Sequence, residues 1–551
     1  MASETRVPVL IVGGGIVGLS ASLCLSQQGI KSLLVERHSG GFIHPRARGV
    51  NARTMEVFRR LGIEDRVREA GASLFKTYGI YSGHSLSEVI EAHPCKERSG
   101  GLPTVKLLAS LSPTSGAFVT QDMLEPVLVN IAKERGNEIW FRTECVDTEQ
   151  DGDGVTATLR DRETGTLSTV RADYLIAADG AGSPIRTRLD IPTAGRGSLG
   201  HLINILFRAD LRPLVQGREF SICAIERPEV SGAFASINNS DRWVFQLLYD
   251  PSKGETPSDF PPERCTELLR LALGLPDVEI AIESTLPWEP TVRVAQRLQH
   301  GRVFLAGDAA HQMPPWGGQG ANSGVADAHN LAWKLALVLR GQADRALLET
   351  YSVERQPVGQ VAAEASGDMS DARGLISMKR TPAFVLRVAR IARLSSGHSY
   401  SYQSRAVAAE DTSPLGGLTW RPWTLPSLLH CIDGRPGRRA PHLWVEHQGN
   451  RVSTLDLFGK NFVLLAGAEG AAWIEGAKKA SEALGVTVDA YRVGPKGDLV
   501  VPEGQLEAAA GITARGAIVV RPDDFVAWRQ RRESSDPHAE LARLLRQVLC
   551  L

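Results

Sequence analysis

The sequence predicts an α/β protein in which a parallel-sheet unit is interrupted by a mainly antiparallel sheet and followed by a smaller α/β unit. Three observations carry this. An apolar strand near the N-terminus runs straight into Gly13-x-Gly15-x-x-Gly18, the turn that opens a βαβ unit. Two later apolar runs stop on an acidic residue, at Asp179-Gly180 and at Gly307-Asp308, as buried parallel strands do at a ligand-binding sheet edge. Between about Pro192 and Trp288 the pattern changes to short alternating segments separated by turn residues, which indicates an antiparallel sheet.

Val7 to Val12 form the first strand, Leu19, Leu23 and Leu25 mark a helix that stops at Gly29, and Ser32 to Val35 form the second strand. In the turn Gly13-Gly14-Gly15-Ile16-Val17-Gly18 the glycines permit tight reversal, close backbone approach to a pyrophosphate and close helix–strand packing. Glu36 ends the second strand 18 residues after Gly18, where a carboxylate accepts ribose hydroxyls. A second match, Gly195-x-Gly197-x-x-Gly200, fails the context test: no apolar strand leads into it, and HLINILF after it reads as a strand rather than a helix. One Rossmann-like unit is therefore expected, at the N-terminus.

The loop after Glu36 carries Arg37, Arg46, Arg48 and Arg53 ahead of an amphipathic helix through Met55, Val57, Phe58 and Leu61. Arginines beside a dinucleotide site suit phosphate contacts; a solvated basic loop fits Arg37 and Arg48, and Arg46 is balanced between solvent and cofactor. Thr120 is a candidate N-cap for the next helix, with Gln121 in its first turn and read as a surface residue. The run Ala172 to Ala178 is a further strand closed by Asp179, after which Ser183-Pro184 starts a helix.

Val303 to Ala306 form a buried strand, Gly307-Asp308 closes it, and Gly317, Gly318, Gly320 and Gly324 lead into a helix whose apolar face includes Val325, Ala328, Leu331 and Leu335. The N-terminus of that helix faces the loop, and its unpaired N–H groups suit a group that becomes negative, such as a reduced flavin at N1–C2=O. His311 and Trp316 flank the loop; His311 is read as a hydrogen-bonded structural histidine. Arg373 and Tyr249 are weaker pocket candidates. Helical and connecting sequence from Tyr351 to Tyr402 ends in a Pro/Gly/Arg-rich boundary from Pro414. Beyond it, strands are predicted at Val452 to Leu457, Phe462 to Ala466, Val486 to Arg492 and Ala517 to Val520, with helices at Ala471 to Leu484 and Ala539 to Leu549. This unit has no cysteine pair, so it is read as structural or oligomerising.

Lys+Arg and Asp+Glu both number 62, which removes the net field that nucleic acid or an anionic membrane needs. No apolar run approaches the roughly 20 residues of a membrane helix, and the first residues lack the basic start and glycine-free core of a secretory signal. Cys24, Cys95, Cys145, Cys223, Cys265, Cys431 and Cys550 are scattered without metal or disulfide spacing. The expectation is a cytoplasmic protein with a small-molecule ligand, no metal, no nucleic acid and no membrane partner.

Taken together, the N-terminal fingerprint, Asp179-Gly180 and Gly307-Asp308 in this order resemble the three fingerprints of the flavoprotein aromatic hydroxylases, the class A FAD monooxygenases related to p-hydroxybenzoate hydroxylase. The segments HPRARGVNARTMEVFRRLG, TQDMLEPVL and GAIVVRPDDFVAWR look closer still to the hydroxylases of aromatic polyketides, of the aklavinone hydroxylase and phenol hydroxylase type, and extend the resemblance over the whole chain. The resemblance implies a glutathione-reductase-type FAD-binding fold over residues 1–190 and 289–410, a substrate-binding β-sheet over 191–288 with part of 75–105, and a thioredoxin-like unit without CxxC over 411–551. Gly13, Gly15, Gly18 and Glu36 match positions around the adenosine half of FAD, with Ile16, Val17 and Arg37 beside them. Arg46 and Gln121 match positions near the pyrophosphate and ribityl chain. Asp308 matches the ribityl aspartate, and Gly317, Gly318, Gly320, Ala321 and Asn322 match the loop against the isoalloxazine. Asp179 matches an aspartate linked to both FAD and the nicotinamide cofactor.

The implied activity is hydroxylation of a phenolic, polycyclic polyketide-type ring by FAD, which NADPH or NADH reduces in passing and which adds dioxygen as a C4a-hydroperoxide. No side chain stands out as a general base, so no catalytic residue is assigned. A Baeyer–Villiger oxygenase on the same fold, an FAD oxidase and a flavin-fold binding protein without chemistry are the alternatives. A monomer and a homodimer are both compatible with the sequence.

Overall fold

A computed structural model describes residues 5–40, 48–74, 79–93, 110–377, 381–395, 400–409 and 433–551. Its largest sheet has eight strands. Strand Thr5–Val12 lies parallel between Ser32–Val35 and Leu167–Ala177, and Val303–Leu305 adds in parallel on the far side of Leu167–Ala177. The register pairs Val12 with both Val35 and Ala177, and Ala177 with Leu305. The residues that follow these strands, Gly13, Glu36, Asp179 and Gly307, therefore leave the sheet at one edge, which is where open parallel sheets hold ligands.

Both faces of this sheet are covered, so its strands are apolar throughout: Val9, Leu10, Ile11, Leu33, Leu34, Leu175, Phe304 and Leu305 are fully buried. Helix Ile16–Gln27 packs between helices Gln319–Leu339 and Gln121–Glu134. Sandwiched in this way it is buried all round from Ile16 to Leu25 apart from Val17, including Ser20 and Ser22, which the Leu19, Leu23 and Leu25 pattern alone did not imply.

The second sheet runs in the order Ala281–Trp288, Leu202–Arg208, Arg242–Leu248, Ser231–Ser236, Ile222–Glu226 and Ile80–Gly83. All its pairings are antiparallel except the last, where Ile80–Gly83 joins in parallel. HLINILF is indeed a strand, and its alternation separates two environments: Ile203, Ile205 and Phe207 pack with Phe234, Trp243 and Phe245 beneath helix Pro262–Leu273, while Leu202 faces the other way, toward Trp316. Gly195 and Gly197 of the rejected glycine pattern lie in strand Thr193–Ser198 and Gly200 follows it; the strand pairs with Thr291–Ala295, which pairs in turn with His311–Gln312. A Cβ on Gly195 would lie 2.2 Å from the Val292 carbonyl oxygen, so that glycine serves strand packing.

The C-terminal unit has a four-stranded sheet, Val488–Arg492, Phe462–Ala466, Ala517–Val520 and Val526–Gln530, against which helices Ala471–Leu484 and Pro537–Leu549 pack. One predicted strand needs correction. Val452 to Leu457 divides into Asn450–Ser453, a hairpin partner of Trp444–His447, and a 3₁₀ turn at Thr454–Leu457. The Ser453 hydroxyl accepts from Leu455 N–H at 3.0 Å and Asp456 accepts from Ser453 N–H at 2.9 Å, so local side-chain bonds outcompete the ladder. Strand Val526–Gln530 and helix Gln505–Ala510 were not anticipated.

Buried ion pairs join this unit to the helices beneath the flavin-type motifs. Arg53 pairs with Asp524, Arg439 with Glu56, and Glu354 with both Arg521 and Lys334. Arg53 thus belongs to helix Ala52–Arg60 and to the seam between units, away from the solvated loop. Among the described residues, no helix is long and apolar enough to cross a membrane, and Cys24, Cys145, Cys223, Cys265 and Cys550 are free thiols.

Candidate functional site

The Gly13–Gly18 turn is built by close backbone approach. Gly13 has φ +112°, and a Cβ there would sit 2.2 Å from the Ala178 carbonyl oxygen. A Cβ on Gly18 would sit 1.9 Å from the Gly13 carbonyl oxygen, so the helix could not start this close to the strand with any other residue. Gly15 caps helix Ile16–Gln27 without a side-chain bond, which leaves the first-turn N–H groups directed at the sheet edge. Glu36, at 8% exposure, accepts from Gly14 N–H at 2.6 Å and from His38 N–H at 2.8 Å, bringing the second strand's carboxylate onto the turn. Arg37 is exposed and donates through Nε to His38 Nε2 at 3.2 Å.

Val17 connects this turn to the third motif. A Cβ on Gly307 would meet its Cγ2 at 2.8 Å, and one on Gly324 would meet the same atom at 2.3 Å. Asp308 follows in the 3₁₀ turn Gly307–Ala309, and a Cβ on Gly320 would lie 3.8 Å from its Oδ1, so its carboxylate stands over the first turn of helix Gln319–Leu339. Gly317 and Gly318 have φ of +87° and +63°, a left-handed pair that turns the loop into the helix. Ala321 is half-buried beside them.

Asn322 is more occupied by protein than its position suggested. Its Oδ1 accepts from Asn51 N–H at 3.0 Å and from the Thr54 hydroxyl at 2.6 Å, and its Nδ2 donates to the Gly318 carbonyl at 2.6 Å. The side chain ties the loop to helix Ala52–Arg60.

Asp179 ends the Leu167–Ala177 strand segment, and its Oδ2 accepts from Ile185 N–H at 3.2 Å. Ser183 caps helix Pro184–Arg188 by accepting from Arg186 N–H at 3.0 Å, as Ser-Pro predicted. The other carboxylate oxygen of Asp179 is buried without a hydrogen-bond partner among the described residues, and burial pushes this carboxyl above the usual carboxylate range. A buried acceptor held open at a ligand edge fits a site that a hydrogen-bonding cofactor completes.

Several residues stand elsewhere than the sequence suggested. Gln121 is buried rather than on the surface and donates to Glu125 at 2.7 Å. Thr120 caps only through its backbone, because its hydroxyl makes no bond to the helix. Arg48 is no solvated residue: it donates to the carbonyls of Ser221 at 2.7 Å and Ser236 at 2.9 Å, and burial lowers it to about 10. Arg46 lies outside the described residues. His311 is fully buried and donates through Nε2 to Asp327 at 2.7 Å, the structural role expected of it. Trp316 closes an apolar cluster with Leu202, Ile222, Ala233 and Ile391. Tyr249 packs on Phe260, and Arg373 pairs with Glu226 at 2.5 Å, so neither enters that cluster.

Asp327 and Arg355, bonded to each other with Asp327 also bonded to His311 beneath the Asp308 turn, are not singled out by the sequence motifs. The available signal was an acidic residue between Val325 and Ala328, inside a helix whose neighbours are apolar.

The arrangement suits a long ligand with a ribose at one end and a ring that gains negative charge at the other. Glu36 and the Gly13–Gly18 amides supply the first half; Asp308, the left-handed glycine pair and the amides of helix Gln319–Leu339 supply the second. The residues present fit FAD.

Comparison with known proteins agrees. Residues 6–366 match the FAD binding domain family, and residues 433–550 match the C-terminal family of aromatic-ring hydroxylases. The chain is 41% identical to tetracenomycin A2 monooxygenase-dioxygenase of Streptomyces glaucescens, over 99% of this chain and 97% of the relative. It is 39% identical to 4-methyl-5-nitrocatechol 5-monooxygenase of a Burkholderia species, over 99% and 98%. The crystal structure of aklavinone-11 hydroxylase with FAD and aklavinone superposes with a TM-score of 0.85 at 37% identity, covering both chains completely. On this full-length match and on the three motifs gathered at one sheet edge, the chain belongs to the family of FAD-dependent aromatic-ring hydroxylases.

Proposed function

We propose that this aromatic monooxygenase hydroxylates a polycyclic phenol held between the six-stranded sheet and the flavin loop, with NADPH or NADH as transient reductant. The observation that carries the substrate class is the apolar wall of Leu202, Ile222, Ala233 and Trp316, which joins the inner face of the sheet to the loop after Asp308. A flat multi-ring substrate matches such a wall, and the superposed hydroxylase holds aklavinone together with FAD. Division of the chain into a discontinuous FAD-binding unit, a substrate sheet and a C-terminal unit is part of this reading, as is a place in the reducing cytosol.

Bound FAD supplies the acceptance of reducing equivalents and the activation of dioxygen. The chain's residues do the rest. Glu36 accepts the ribose hydroxyls, and the Gly13–Gly18 amides face the pyrophosphate, with Arg37 and Gln121 along the same path and a phosphate-pairing role for Arg46. Asp308 accepts from the ribityl chain. The open N–H groups at the start of helix Gln319–Leu339 offset negative charge on the reduced ring by roughly 0.3–2 kcal/mol. Asp179 offers its open oxygen to FAD or to the visiting nicotinamide. Trp316 and its apolar neighbours keep water from the reacting atoms and hold the ring in line for attack.

Incubation of the holoenzyme with NADPH or NADH, ¹⁸O-labelled dioxygen and a panel of mono- and polycyclic phenols tests this. One labelled oxygen on a polycyclic ring is expected. Label only in single-ring phenols, or oxygen inserted beside a ketone, refutes the substrate class; nicotinamide oxidation that yields only hydrogen peroxide for every ring refutes oxygen transfer.

A further inference from the structure

The carboxylate of Asp327 is fully buried in helix Gln319–Leu339 and belongs to none of the three sequence motifs. Its Oδ2 accepts from Gly307 N–H at 3.1 Å and from His311 Nε2 at 2.7 Å. Gly307 and His311 bracket the turn that carries Asp308, so one oxygen atom holds both ends of that turn. The other oxygen accepts from Arg355 Nε at 2.7 Å, and Arg355 in turn donates to the Ser323 carbonyl at 3.1 Å and to the Tyr402 hydroxyl at 3.1 Å.

Taking a carboxylate, an imidazole and a guanidinium out of water is costly, and an aliphatic side chain would fill the same space without that cost. Burial alone would raise the Asp327 carboxyl; the neighbouring His311 and Arg355 outweigh it and keep the group below the usual carboxylate range. The group is therefore a charged acceptor in the folded protein, and a charged acceptor can grip a backbone N–H where a methyl group cannot. The turn it grips is short, and Asp308 within it stands over the first turn of the same helix, its Oδ1 3.8 Å from where a Cβ on Gly320 would lie. Tying the turn to the helix makes Asp308 and the helix N-terminus one body.

We propose that Asp327 is a positioning residue for Asp308: by bonding both ends of the Gly307–His311 turn to helix Gln319–Leu339, it fixes the direction in which the Asp308 carboxylate meets the flavin. This rests on the reading of Asp308 as a flavin-site residue. Arg355 holds the far side of Asp327, and Tyr402, stacked on Phe525 of the C-terminal unit with ring centres 4.0 Å apart, anchors Arg355.

The test is a double-mutant cycle on FAD affinity. Apoprotein is prepared for the parent, Asp327→Asn, Asp308→Ala and the double variant, and the dissociation constant of FAD is measured by quenching of flavin fluorescence. Asp327→Asn and Asp308→Ala are each expected to weaken FAD binding at least about tenfold. In the Asp308→Ala background the Asp327 substitution should add less than about threefold, because a turn without its carboxylate has nothing left to aim. Independent effects that multiply in the double variant, or an unchanged constant for Asp327→Asn, overturn the positioning role. An unchanged constant for Asp308→Ala overturns the site reading instead, and the positioning role falls with it. Should Asp327→Asn fail to fold, His311→Asn frees only one end of the turn; its expected loss is about threefold, with the same collapse in the Asp308→Ala background, and multiplication there is again the refuting result.

Discussion

Gly324 offers a direct way to pry the flavin-type motifs apart. An alanine methyl at this position would lie 2.3 Å from Val17 Cγ2 and 3.1 Å from Gly307 Cα. Carbon atoms pack at about 3.5–4.0 Å, so Val17 has to retreat by more than about 1 Å while the Gly307 backbone blocks the opposite side. Val17 belongs to the Gly13–Gly18 turn and Gly307 precedes Asp308, so the strain is relieved by separating two segments that one cofactor has to bridge. Overpacking of this kind costs roughly 1–3 kcal/mol, whereas exchanging glycine for alanine inside a helix gains roughly 0.5–1 kcal/mol. The difference, about 1.3 kcal/mol at the midpoints of these ranges, falls on the closed, FAD-bound geometry and corresponds to a roughly eightfold weaker dissociation constant for FAD. Reconstitution of Gly324→Ala apoprotein with FAD, followed by fluorescence quenching, measures it. Repeating the substitution in a Val17→Ala chain isolates the contact: with Cγ2 gone, Gly324→Ala should change the constant by less than about twofold. Parent-like FAD affinity for Gly324→Ala, or an equal loss in both backgrounds, would refute the packing argument.

Glu354→Gln removes the charge shared by Arg521 and Lys334, whose side chains are 0% exposed, and leaves the Lys334 ammonium without its carboxylate partner and Arg521 with Asp523 alone. A loss of about 3–5 kcal/mol is expected, read as a fall of at least about 1 M in the midpoint of the first urea transition; a shift under about 0.3 M contradicts it. Burial raises the Glu354 carboxyl, but the charges of Arg521 and Lys334 prevail and hold it far below its ordinary value. Its contribution is thus present above the ordinary carboxylate pKa and is lost as pH falls, so the parent should lose more stability than Glu354→Gln on acidification below about pH 4. Glu36→Ala should weaken FAD by roughly 10- to 100-fold through the lost charge-assisted bonds to ribose, with FMN affinity unchanged, since FMN lacks the adenosine half. Parallel weakening of both flavins would remove Glu36 from the adenosine end.

The elements around the site were legible because each is a local device. A glycine that must approach a carbonyl, as Gly18 approaches Gly13, and an apolar run that must end on an acid, as at Asp308, leave their mark within a few residues. The antiparallel sheet announced itself by alternation, and Ser183-Pro184 by cap chemistry. Local competition also explains a miss: the Ser453 and Asp456 side chains turn the chain at Thr454–Leu457, where β-propensity suggested a strand.

Strands, helices, glycines and acids at the flavin edge can be read along the chain, since steric and capping rules act between near neighbours. Which residues meet across hundreds of positions is set by the fold. Arg48 is half-buried because Ser221 and Ser236 present their carbonyls to it, and Gln121 is buried because helix Gln121–Glu134 packs against helix Ile16–Gln27. Asp327 is an acid among apolar helix neighbours, and only the fold brings Gly307, His311 and Arg355 around it. The worth of a buried charge depends on the partners that the fold gathers and not on its neighbours in the chain, and that is why these residues waited for three-dimensional contacts.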